Sequence, residues 1–437
     1  MRVWSVAAYL LLPYAIAGLI WRGLRFPAYF RRWPERFGFV RPITGPVIWV
    51  HAVSVGEVRS AAPLIEAIAA RLPRYRILVT TMTPTGSEQV AALFGDRVLH
   101  SYLPYDFPDA VARFLDRVDP ELAIVAETEF WPNLFGACER RKIPLVIVNA
   151  RLSLASFRGY SLVGATVRAM FASADLICAQ SSLDVQRLRN LGVDDRLLTV
   201  TGNLKFDVEA PATIRAEGEA LRRKWGRARR VLIAASTHRG EESQVLAAFR
   251  ALRERYRDLL LVLVPRHPER FAAVARQSRR RGFVTARRTR LAGDLPPETE
   301  VLIGDTMGEL VKFYAASDIA FIGGSLVRHG GQNPVEACTV GVPVIFGPHM
   351  FHFEEISALI LERGAARQVR DARGLAAAAA LFLDQPELRR AAGRAALSLV
   401  RDNLGSLERT LKALGRQLAV ADARAAHAAE PLARADL

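Results

Sequence analysis

The chain repeatedly places a short, continuous apolar run just ahead of a segment with helical periodicity. Between Pro46 and about Val200 these runs read VIWVHA, RILVT, ELAIVAE, PLVIVNA and DLICAQ. Runs that are apolar throughout are typical of parallel strands whose sheet is covered by helices on both faces. The pattern predicts a parallel α/β domain, and ligands are expected at the carboxyl ends of its strands.

A glycine-rich stretch in the second half adds a ligand-binding pattern. Residues 319–322 and 342–346 are predicted strands, residues 323–331 form a turn with four glycines, and a helix is predicted to open at Asn333 and Pro334. Glycine lets a ligand approach the backbone, and the first N–H groups of a helix face an anion, so a phosphate site is predicted here. The spacing of Asn333 and Glu336 equally fits a capping box that only fastens the helix start.

The length and composition support two domains. The chain has 437 residues, of which 51% are hydrophobic, so well-buried cores are expected and a disordered or fibrous protein is excluded. Further apolar runs at residues 231–235 and 259–264 mark a second parallel sheet. The predicted organisation is a first domain at 23–207, a linker at 208–228, a second domain at 229–415 and a flexible alanine-rich tail at 416–437.

The charge balance favours polyanionic partners. The chain has 60 Lys and Arg residues against 44 Asp and Glu residues, a net charge of +16, which suits nucleic acid, an anionic membrane or a phosphorylated lipid. It carries no RRM, zinc-knuckle or helix-turn-helix pattern, so nucleic acid is not an expected partner. Cys138, Cys178 and Cys338 are odd in number and widely spaced, which favours free thiols in a reducing compartment.

Residues 1–22 are predicted to form a membrane anchor. No charged residue occurs between Val3 and Trp21, and a helix of that length at ~1.5 Å per residue spans roughly 28 Å, close to the hydrocarbon thickness. Five arginines follow within residues 22–36, which places the body of the protein in the cytoplasm. Two alternatives remain open: a cleaved signal peptide ending near residues 15–17, and a helix lying in one leaflet, which Pro13 favours.

The segment after the first predicted strand places Glu57 at a helix start on the ligand edge. Ser54 and Glu57 have the spacing of a capping box, which is a purely structural reading. A carboxylate in this place can instead act as a general base, provided that it is ionised and about 2.6–3.2 Å from the attacking oxygen. Arg59 nearby is expected to keep it ionised.

Other strand ends of the first domain carry polar clusters. Glu127, Glu129 and Trp131 follow the run ELAIVAE, and two acids with a tryptophan are unusual in a core but ordinary beside a sugar. The loop TTMTPTG at residues 80–86 could contact a phosphate or a sugar, or could cap the next helix. Arg151 is a candidate anion contact on the same edge.

Cationic residues also follow strands near and beyond the domain boundary. Lys205 in GNLKFD ends the first sheet, where a lysine can meet an anion or be simply solvated. The segment PRHPER presents Arg266 and His267 after the run at 259–264, and a fixed arginine suits a phosphodiester, although both could be surface residues before a helix. The loop STHRGEE at 236–242 again joins a strand to a helix start, which predicts an anion pocket.

Several of these motifs together resemble one family. The chain resembles two-domain glycosyltransferases of the GT-B type, and more narrowly the 3-deoxy-D-manno-octulosonic acid (Kdo) transferases of lipopolysaccharide biosynthesis. The segments that carry the resemblance are SVGE, GNLKFD, PRHPER, MGE, NPVE and GPHMFHFEE. It implies two Rossmann-like parallel-sheet domains facing across a cleft, with CMP-Kdo as donor and a lipid A precursor as acceptor at the cytoplasmic face of a bacterial inner membrane.

The resemblance also implies roles for individual residues. Glu57 corresponds to the general base, Glu127 to a residue that assists the transition state, and Lys205 to one that stabilises the leaving phosphate. The residues expected around CMP are Arg266, His267, Met307, Gly308, Glu309, Asn333, Pro334, Val335 and Glu336. Basic and apolar residues at 22–41 and 158–171 are expected to meet the anionic membrane surface and the lipid.

The expected reaction is a direct, inverting displacement without a cofactor. The chain has no Asp-x-Asp pair of the kind that holds Mg²⁺ or Mn²⁺, so metal-independent chemistry is predicted, with charge on the departing CMP offset by Lys205, Arg266 and helix dipoles. One alternative is a nucleotide-sugar epimerase or hydrolase of the same fold, which would act on the donor without an acceptor. Another is a non-catalytic, membrane-bound protein that binds anionic lipids.

Overall fold

The computed structural model describes residues 4–5, 9–10, 12–25, 27–208 and 210–423. The chain divides into two compact units. The first consists of Met1–Lys205 together with Gly405–Leu437, and the second is Phe206–Leu404.

The first unit contains a seven-stranded sheet in the order β3-β2-β1-β4-β5-β6-β7, and each pair of neighbouring strands is parallel. Its strands are β1 (Val47–His51), β2 (Arg76–Thr81), β3 (Leu99–Tyr102), β4 (Pro120–Ala126), β5 (Leu145–Ala150), β6 (Leu176–Ala179) and β7 (Leu198–Val200). The helices before residue 205 are α1 (Leu12–Arg25), α2 (Val55–Arg71), α3 (Pro84–Phe94), α4 (Pro108–Val118), α5 (Pro132–Arg140), α6 (Leu154–Leu162), α7 (Gly164–Ala172) and α8 (Ser182–Asn190).

The apolar runs become strands because both faces of this sheet are covered. Along β1, Val47 and Trp49 belong to one hydrophobic core, and Ile48 and Val50 belong to another. Successive side chains of a strand point to opposite faces, so a run must be apolar throughout when both faces are buried. The sequence-based prediction of a parallel, doubly covered sheet is confirmed for this unit.

The second unit repeats the arrangement, with the strand order β10-β11-β9-β8-β12-β13-β14 and parallel pairing between neighbours. Its strands are β8 (Val231–Thr237), β9 (Leu260–Pro265), β10 (Thr285–Arg287), β11 (Val301–Ile303), β12 (Ile319–Ile322), β13 (Val344–Phe346) and β14 (Ala366–Gln368). Its helices are α9 (Ile214–Trp225), α10 (Glu241–Arg255), α11 (Phe271–Arg280), α12 (Leu310–Ala315), α13 (Val335–Thr339), α14 (Glu354–Glu362), α15 (Ala372–Asp384) and α16 (Pro386–Arg401).

The second sheet is also covered on both faces. Alternate residues of β8 enter different cores, with Ile233 and Ala235 in one and Leu232 and Ala234 in the other. The expectation of two Rossmann-like parallel-sheet domains is therefore confirmed. The sequence patterns did not indicate the edge strands β3, β7, β10 and β14, because these strands are partly exposed and so are not apolar throughout. They also missed β11, whose apolar run has only three residues.

The observed division of the chain differs from the predicted boundaries at both ends of the second domain. Helix α9 falls within the predicted linker at 208–228, yet Trp225 is buried in the core of the second unit. At the other end, α17 (Ser406–Ala413) and the helical residues 415–423 belong to the first unit, where Leu411 and Leu414 join the core beneath β1. The predicted tail at 416–437 is thus helical as far as residue 423, and the remainder lies outside the described residues.

The amino-terminal segment contacts the first unit. Trp4 Nε1 donates a hydrogen bond to Asp106 (2.9 Å), and the Tyr9 hydroxyl donates one to Asp109 (2.6 Å). Among the helices formed by the described residues, none has both the length and the apolar character needed to cross a bilayer. The predicted anchor at residues 1–22 is therefore not confirmed, and part of that segment lies outside the described residues.

Candidate active site

In each sheet the strand order reverses beside the first strand of the unit. In the first unit this point lies between β1 and β4, where His51 pairs with Val125. In the second unit it lies between β8 and β12, where Ala235 pairs with Ile322. Open parallel sheets bind ligands outside the carboxyl ends of the strands at such a point. The segments that follow these strands hold most of the residues singled out in the sequence.

Glu57 is buried at the start of α2, with 8% of its surface exposed. The Val53 N–H donates to its Oε2 (2.7 Å), and the Ser54 hydroxyl donates to its Oε1 (2.9 Å). Ser54 in turn caps the helix by accepting from the Glu57 N–H (3.4 Å). The carboxylate thus fastens the start of its own helix, as the capping-box reading of the sequence anticipated.

The surroundings of Glu57 make it a proton acceptor of unusual strength. Burial, followed by the negative charges of Glu127 and Glu129, raises its pKa to about 8. The expectation that Arg59 keeps this group ionised is therefore wrong, and Arg59 Nε donates to Gln89 instead. Because a carboxyl group with a pKa near neutrality accepts a proton better than an ordinary glutamate, the helix cap is also suited to acid–base chemistry.

Glu127 and Lys205 form a buried ion pair in the same unit. Lys205 Nζ lies 2.6 Å from Glu127 Oε1, and their side chains are 8% and 11% exposed. Glu127 directly follows β4 with a backbone φ of 63°, a left-handed conformation that is uncommon for a residue with a side chain. The alternative that Lys205 is simply solvated is wrong.

A network of amides holds the turn that carries Lys205. The Asn149 side-chain oxygen accepts from the Leu204 N–H (3.0 Å), and the Asn203 side-chain oxygen accepts from the Lys205 N–H (2.9 Å). Gln180 links the two asparagines, since its amide donates to the Asn149 carbonyl (3.1 Å) and accepts from Asn203 Nδ2 (2.9 Å). These amides come from β5, the start of α8 and the turn itself, so no local sequence pattern indicated that they act together.

The hydroxyl-rich loop after β2 has a structural role. The Thr83 hydroxyl accepts a hydrogen bond from the Gly86 N–H (3.0 Å) and so caps α3. The prediction that this loop caps the next helix is therefore confirmed. The alternative, that it contacts a phosphate or a sugar, stays a prediction.

In the second unit a cavity of about 270 Å³ opens at the carboxyl ends of the strands. Its lining comes from Ser236 near the end of β8, residues 264–266 at the end of β9, residues 306–308 after β11, and Gln332, Asn333 and Glu336 around the start of α13, with Phe271 and Leu310. These segments are distant in the chain and meet only because their strands are neighbours in the sheet.

Part of the residue set expected around CMP lines this cavity. Arg266, Met307, Gly308, Asn333 and Glu336 do so, whereas His267, Glu309, Pro334 and Val335 are not among the lining residues. The Glu309 carboxylate instead accepts from the Thr306 hydroxyl (2.5 Å) and lies 3.1 Å from Arg288. Sequence patterns did not single out Gln332 or Thr306, although each directly precedes a predicted site residue.

The two arginines of PRHPER differ in their partners. Arg270 forms a two-bond ion pair with the buried carboxylate of Glu242, which fastens the motif to α10. Arg266 is exposed on the cavity, and within the described residues its guanidinium makes no hydrogen bond or ion pair. The structure therefore leaves Arg266, and not Arg270, available to an anionic ligand.

The glycine-rich turn after β12 is already occupied by an anion of the protein itself. The buried Glu241 carboxylate accepts hydrogen bonds from the N–H groups of Gly324 (2.7 Å), Ser325 (3.0 Å) and Leu326 (2.9 Å), and from His238 N–H (3.2 Å). These N–H groups therefore have an internal partner, and the phosphate site predicted around this turn and the start of the next helix stays a prediction. The adjacent cavity begins beyond the turn, at Gln332.

Glu336 lines the cavity, and its pKa is raised. Burial raises its pKa, while a hydrogen bond with Asn333 and the positive charge of Arg266 act in the opposite direction. Asn333 also accepts from the Val335 N–H (3.0 Å) through Oδ1, so it fastens the start of α13 while facing the cavity. The pair offers oxygen acceptors, as needed to bind hydroxyl groups.

Comparison with known proteins places the chain in a family. Residues 31–208 match the family described as 3-deoxy-D-manno-octulosonic-acid transferase (kdotransferase), and residues 220–398 match glycosyl transferases group 1. The 3-deoxy-D-manno-octulosonic acid transferase of Haemophilus influenzae is 43% identical over 90% of this chain and 92% of its own length. The Bordetella pertussis enzyme of the same name is 40% identical over 87% of this chain and 90% of its own length.

Among solved structures, the chain is similar to the C-terminal CMP-Kdo binding domain of WaaA from Acinetobacter baumannii. The two are 31% identical, with a TM-score of 0.42, over 44% of this chain and 100% of that one. The extent of the sequence identity with the two full-length relatives settles the assignment: the chain belongs to the 3-deoxy-D-manno-octulosonic acid transferase family and is a glycosyltransferase.

Proposed function

We propose that this protein transfers Kdo from CMP-Kdo to a phosphorylated lipid A precursor, lipid IVA, in lipopolysaccharide biosynthesis. The observation that carries the proposal is the cavity of the second unit. Its rim presents Arg266, whose guanidinium has no hydrogen bond or ion pair within the described residues, beside acceptor oxygens of Asn333 and Glu336. The donor half of the reaction is assigned to this unit and the acceptor half to the first.

In the donor half, Arg266 binds the phosphodiester. A guanidinium presents several N–H donors in a fixed plane, which matches phosphate oxygens and forms charge-assisted hydrogen bonds. Glu336 and Asn333 accept from ribose hydroxyls, and the turn at Met307 and Gly308 contacts the nucleoside. The cavity of about 270 Å³ lies just below the usual range of small-molecule sites, roughly 300–1,000 Å³.

In the acceptor half, Glu57 removes the proton from the attacking lipid hydroxyl. Its raised pKa of about 8 means that it binds this proton more firmly than an ordinary carboxylate would. The hydrogen bonds from Val53 and Ser54 hold the carboxylate in one orientation, which favours a single approach of the hydroxyl. General-base assistance of this kind contributes about 10²–10⁴ to the rate.

The Lys205–Glu127 pair stabilises charge that develops during transfer. Lys205 offsets negative charge on the departing CMP, and Glu127 holds the ammonium in place through their 2.6 Å contact. The proposed reaction is a direct displacement at the anomeric carbon, which inverts its configuration. We expect it to proceed without a metal ion, since arginine, lysine and helix dipoles supply the positive charge.

The acceptor is a membrane lipid, so the protein is expected to work at the anionic cytoplasmic face of the inner membrane. Large apolar side chains exposed in the first unit support this proposal, among them Leu24 (74% exposed) and Leu162 (87% exposed). Single exposed apolar residues are normal in soluble proteins, but an amino-terminal group near a basic surface is typical of interfacial attachment.

The decisive experiment is to incubate the purified protein with CMP-Kdo and tetraacylated lipid A precursor, with a chelator present, and to weigh the lipid product. A mass increase of one or more Kdo units, absent when the donor is withheld, is the expected result. Donor consumption that does not need the lipid would point to an epimerase or hydrolase. Absence of both CMP binding and turnover would point to a non-catalytic lipid-binding protein.

A further inference from the structure

Three histidines of the second unit form one cluster on the loops after β8, β9 and β12. The ring of His238 stacks on that of His329, with centroids 4.4 Å apart and planes at 19°, and it meets the ring of His267 edge-on at 5.4 Å. The described residues contain no group of three or more His, Cys, Asp or Glu side chains arranged to hold a metal ion. Another explanation for the cluster is therefore required.

The cluster lies at the rim of the donor cavity. Gln332 and Arg266 both line that cavity, Gln332 Nε2 lies 3.1 Å from His238 Nε2, and His267 directly follows Arg266. Since the amide nitrogen of Gln332 can only donate, His238 Nε2 accepts this bond and the neutral ring carries its proton on Nδ1. The ring thus retains one N–H donor. It gains a positive charge if Nε2 is also protonated, which requires the Gln332 amide to turn so that its oxygen accepts from Nε2.

The backbone beneath the cluster is held rigidly. His238 N–H donates to Glu241, which also accepts the three N–H groups of the turn after β12. A Cβ on Gly324 would approach the ring of His238 to 3.3 Å, so the turn packs closely against it. A binding group needs such support to hold its geometry.

The proposed donor requires two neighbouring anion contacts. Its sugar is a 2-ulosonic acid, whose carboxylate is attached to the same carbon that bears the phosphate. One cationic group can satisfy the phosphodiester, which the proposed function assigns to Arg266, but the carboxylate needs a second set of donors because an unpaired buried anion is costly. The histidines lie next to Arg266, where this second set is required.

We propose that His238, supported by His329 and Gln332, binds the carboxylate of the donor sugar and thereby selects nucleotide-linked 2-ulosonic acids over other cytidylates. This inference rests on the proposed function of the same cavity. Because the positive charges around His238 are relieved when the carboxylate arrives, the ring takes up a proton as the donor binds.

The charged groups that face His238 agree with proton uptake. Burial, followed by His329, His267, Arg266 and Arg270, lowers the pKa of His238 to about 4, and the opposing Glu241 carboxylate is engaged by backbone N–H groups. The ring is therefore neutral at pH 7 without ligand. A carboxylate in contact with it favours the protonated form and raises its pKa.

The test is titration calorimetry of the full-length protein with three ligands: CMP, the methyl phosphodiester of CMP, and CMP-Kdo. Measurements at pH 7 in two buffers of different ionisation enthalpy report the protons taken up. We expect proton uptake with CMP-Kdo and none with the methyl ester, which has the phosphodiester but no carboxylate. Equal proton uptake with both ligands, or none with either, overturns the proposal.

Substitution of the ring supplies the second readout. His238→Asn is expected to weaken CMP-Kdo binding about 10- to 100-fold, as for loss of a hydrogen bond to a charged group, while CMP and its methyl ester change by less than about twofold. Arg239→Ala, which removes a neighbouring exposed charge, is the matched control and should leave all three affinities nearly unchanged. An equal loss for all three ligands in the His238 variant, or no loss for CMP-Kdo, refutes the assignment.

Retained CMP affinity in the variant shows that the unit is still folded. If His238→Asn does not fold, His329→Ala, which removes an exposed ring, should weaken CMP-Kdo selectively in the same direction, and its failure to do so overturns the proposal. If the unaltered protein binds none of the three ligands, the proposed function itself fails. That outcome is distinct from loss of carboxylate selectivity alone.

Discussion

Lys205 Nζ lies 2.6 Å from Glu127 Oε1, although 77 residues separate the two positions in the chain. Both side chains are nearly buried, and both follow strands that end at the ligand-binding edge of one sheet. A buried pair of this kind can be retained for stability or for chemistry. The two roles can be separated because they respond differently to removing one partner or both.

Removing one partner leaves the other charge buried and alone. Lys205→Met and Glu127→Gln are each expected to lower the free energy of unfolding by about 3–5 kcal/mol, measured by urea denaturation. The double variant should recover much of this loss, since neither charge remains. Transfer activity should stay low in all three variants. Recovery of activity together with stability in the double variant would show that the pair has only a structural role.

Glu57→Gln should abolish most of the transfer activity without unfolding the protein. Glutamine keeps an oxygen that accepts from the Val53 N–H or the Ser54 hydroxyl, but it cannot remove a proton, so kcat should fall by about 10²–10⁴. Glu66→Gln, an exposed change on the same helix, is the control and should retain parental kinetics. Parental activity in the Glu57 variant would exclude this residue as the base.

The raised pKa of Glu57 has two consequences for pH dependence. Because the ionised form is the active base, kcat/KM should rise with pH up to about 8, and this limb should vanish in Glu57→Gln. The native state binds this proton more tightly than the unfolded chain does. The stabilisation is therefore present at low pH and is lost as pH rises from about 4.5 to about 8.

Over that range the loss should be at most about 1.4 kcal/mol per pH unit. Denaturation at a series of pH values should show a smaller decline with rising pH in Glu57→Gln than in the parent. An identical pH dependence of stability in the two proteins would mean that the acidity of Glu57 is not altered by folding.

Substitutions of the two arginines of PRHPER should have different effects, one on ligand binding and the other on stability. Arg266→Ala is expected to weaken CMP binding about 10- to 100-fold, since a charge-assisted contact with the phosphate is lost, with little change in unfolding. Arg270→Ala should instead destabilise the second unit, because it leaves the buried carboxylate of Glu242 without its partner. Calorimetry with CMP and thermal denaturation of both variants provide the comparison, and a reversed pattern would contradict the assignment.

Glu241→Gln should loosen the glycine-rich turn. The carboxylate accepts four backbone N–H bonds, and the amide can accept fewer and adds an N–H group to a buried site, so a loss of about 2–4 kcal/mol in unfolding free energy is expected. Amide hydrogen exchange at residues 324–326 should accelerate more than exchange in β8. Glu254→Gln, at an exposed position on the same helix, is the control and should change neither.

The sequence was sufficient for the central strands and for the chemical type of several site residues. Burial on both faces requires apolar runs such as 47–51 and 231–235, and this requirement is visible within a few consecutive residues. The edge strands β10 and β14 were not predicted because they are partly exposed and so lack a continuous apolar run. The predicted carboxyl end of the second unit differs from the observed one because helix α17 packs on the sheet of the first unit. The last strand of that sheet ends at Val200, far from α17 in the chain.

Only the tertiary structure determines which partner each polar group bonds to. The glycine-rich turn after β12 was predicted to bind a phosphate, but the N–H groups of residues 324–326 donate to Glu241, which lies 83 residues before Gly324 in the chain. Likewise, Arg266 and Arg270 belong to one motif. Only the position of Glu242 in the fold determines that Arg270 is paired and that Arg266 is available to a ligand. Hydrophobic periodicity depends on residues that are close together in the chain. Ion pairs and hydrogen bonds instead join residues from different strands and helices, and the sequence separation does not predict which residues pair.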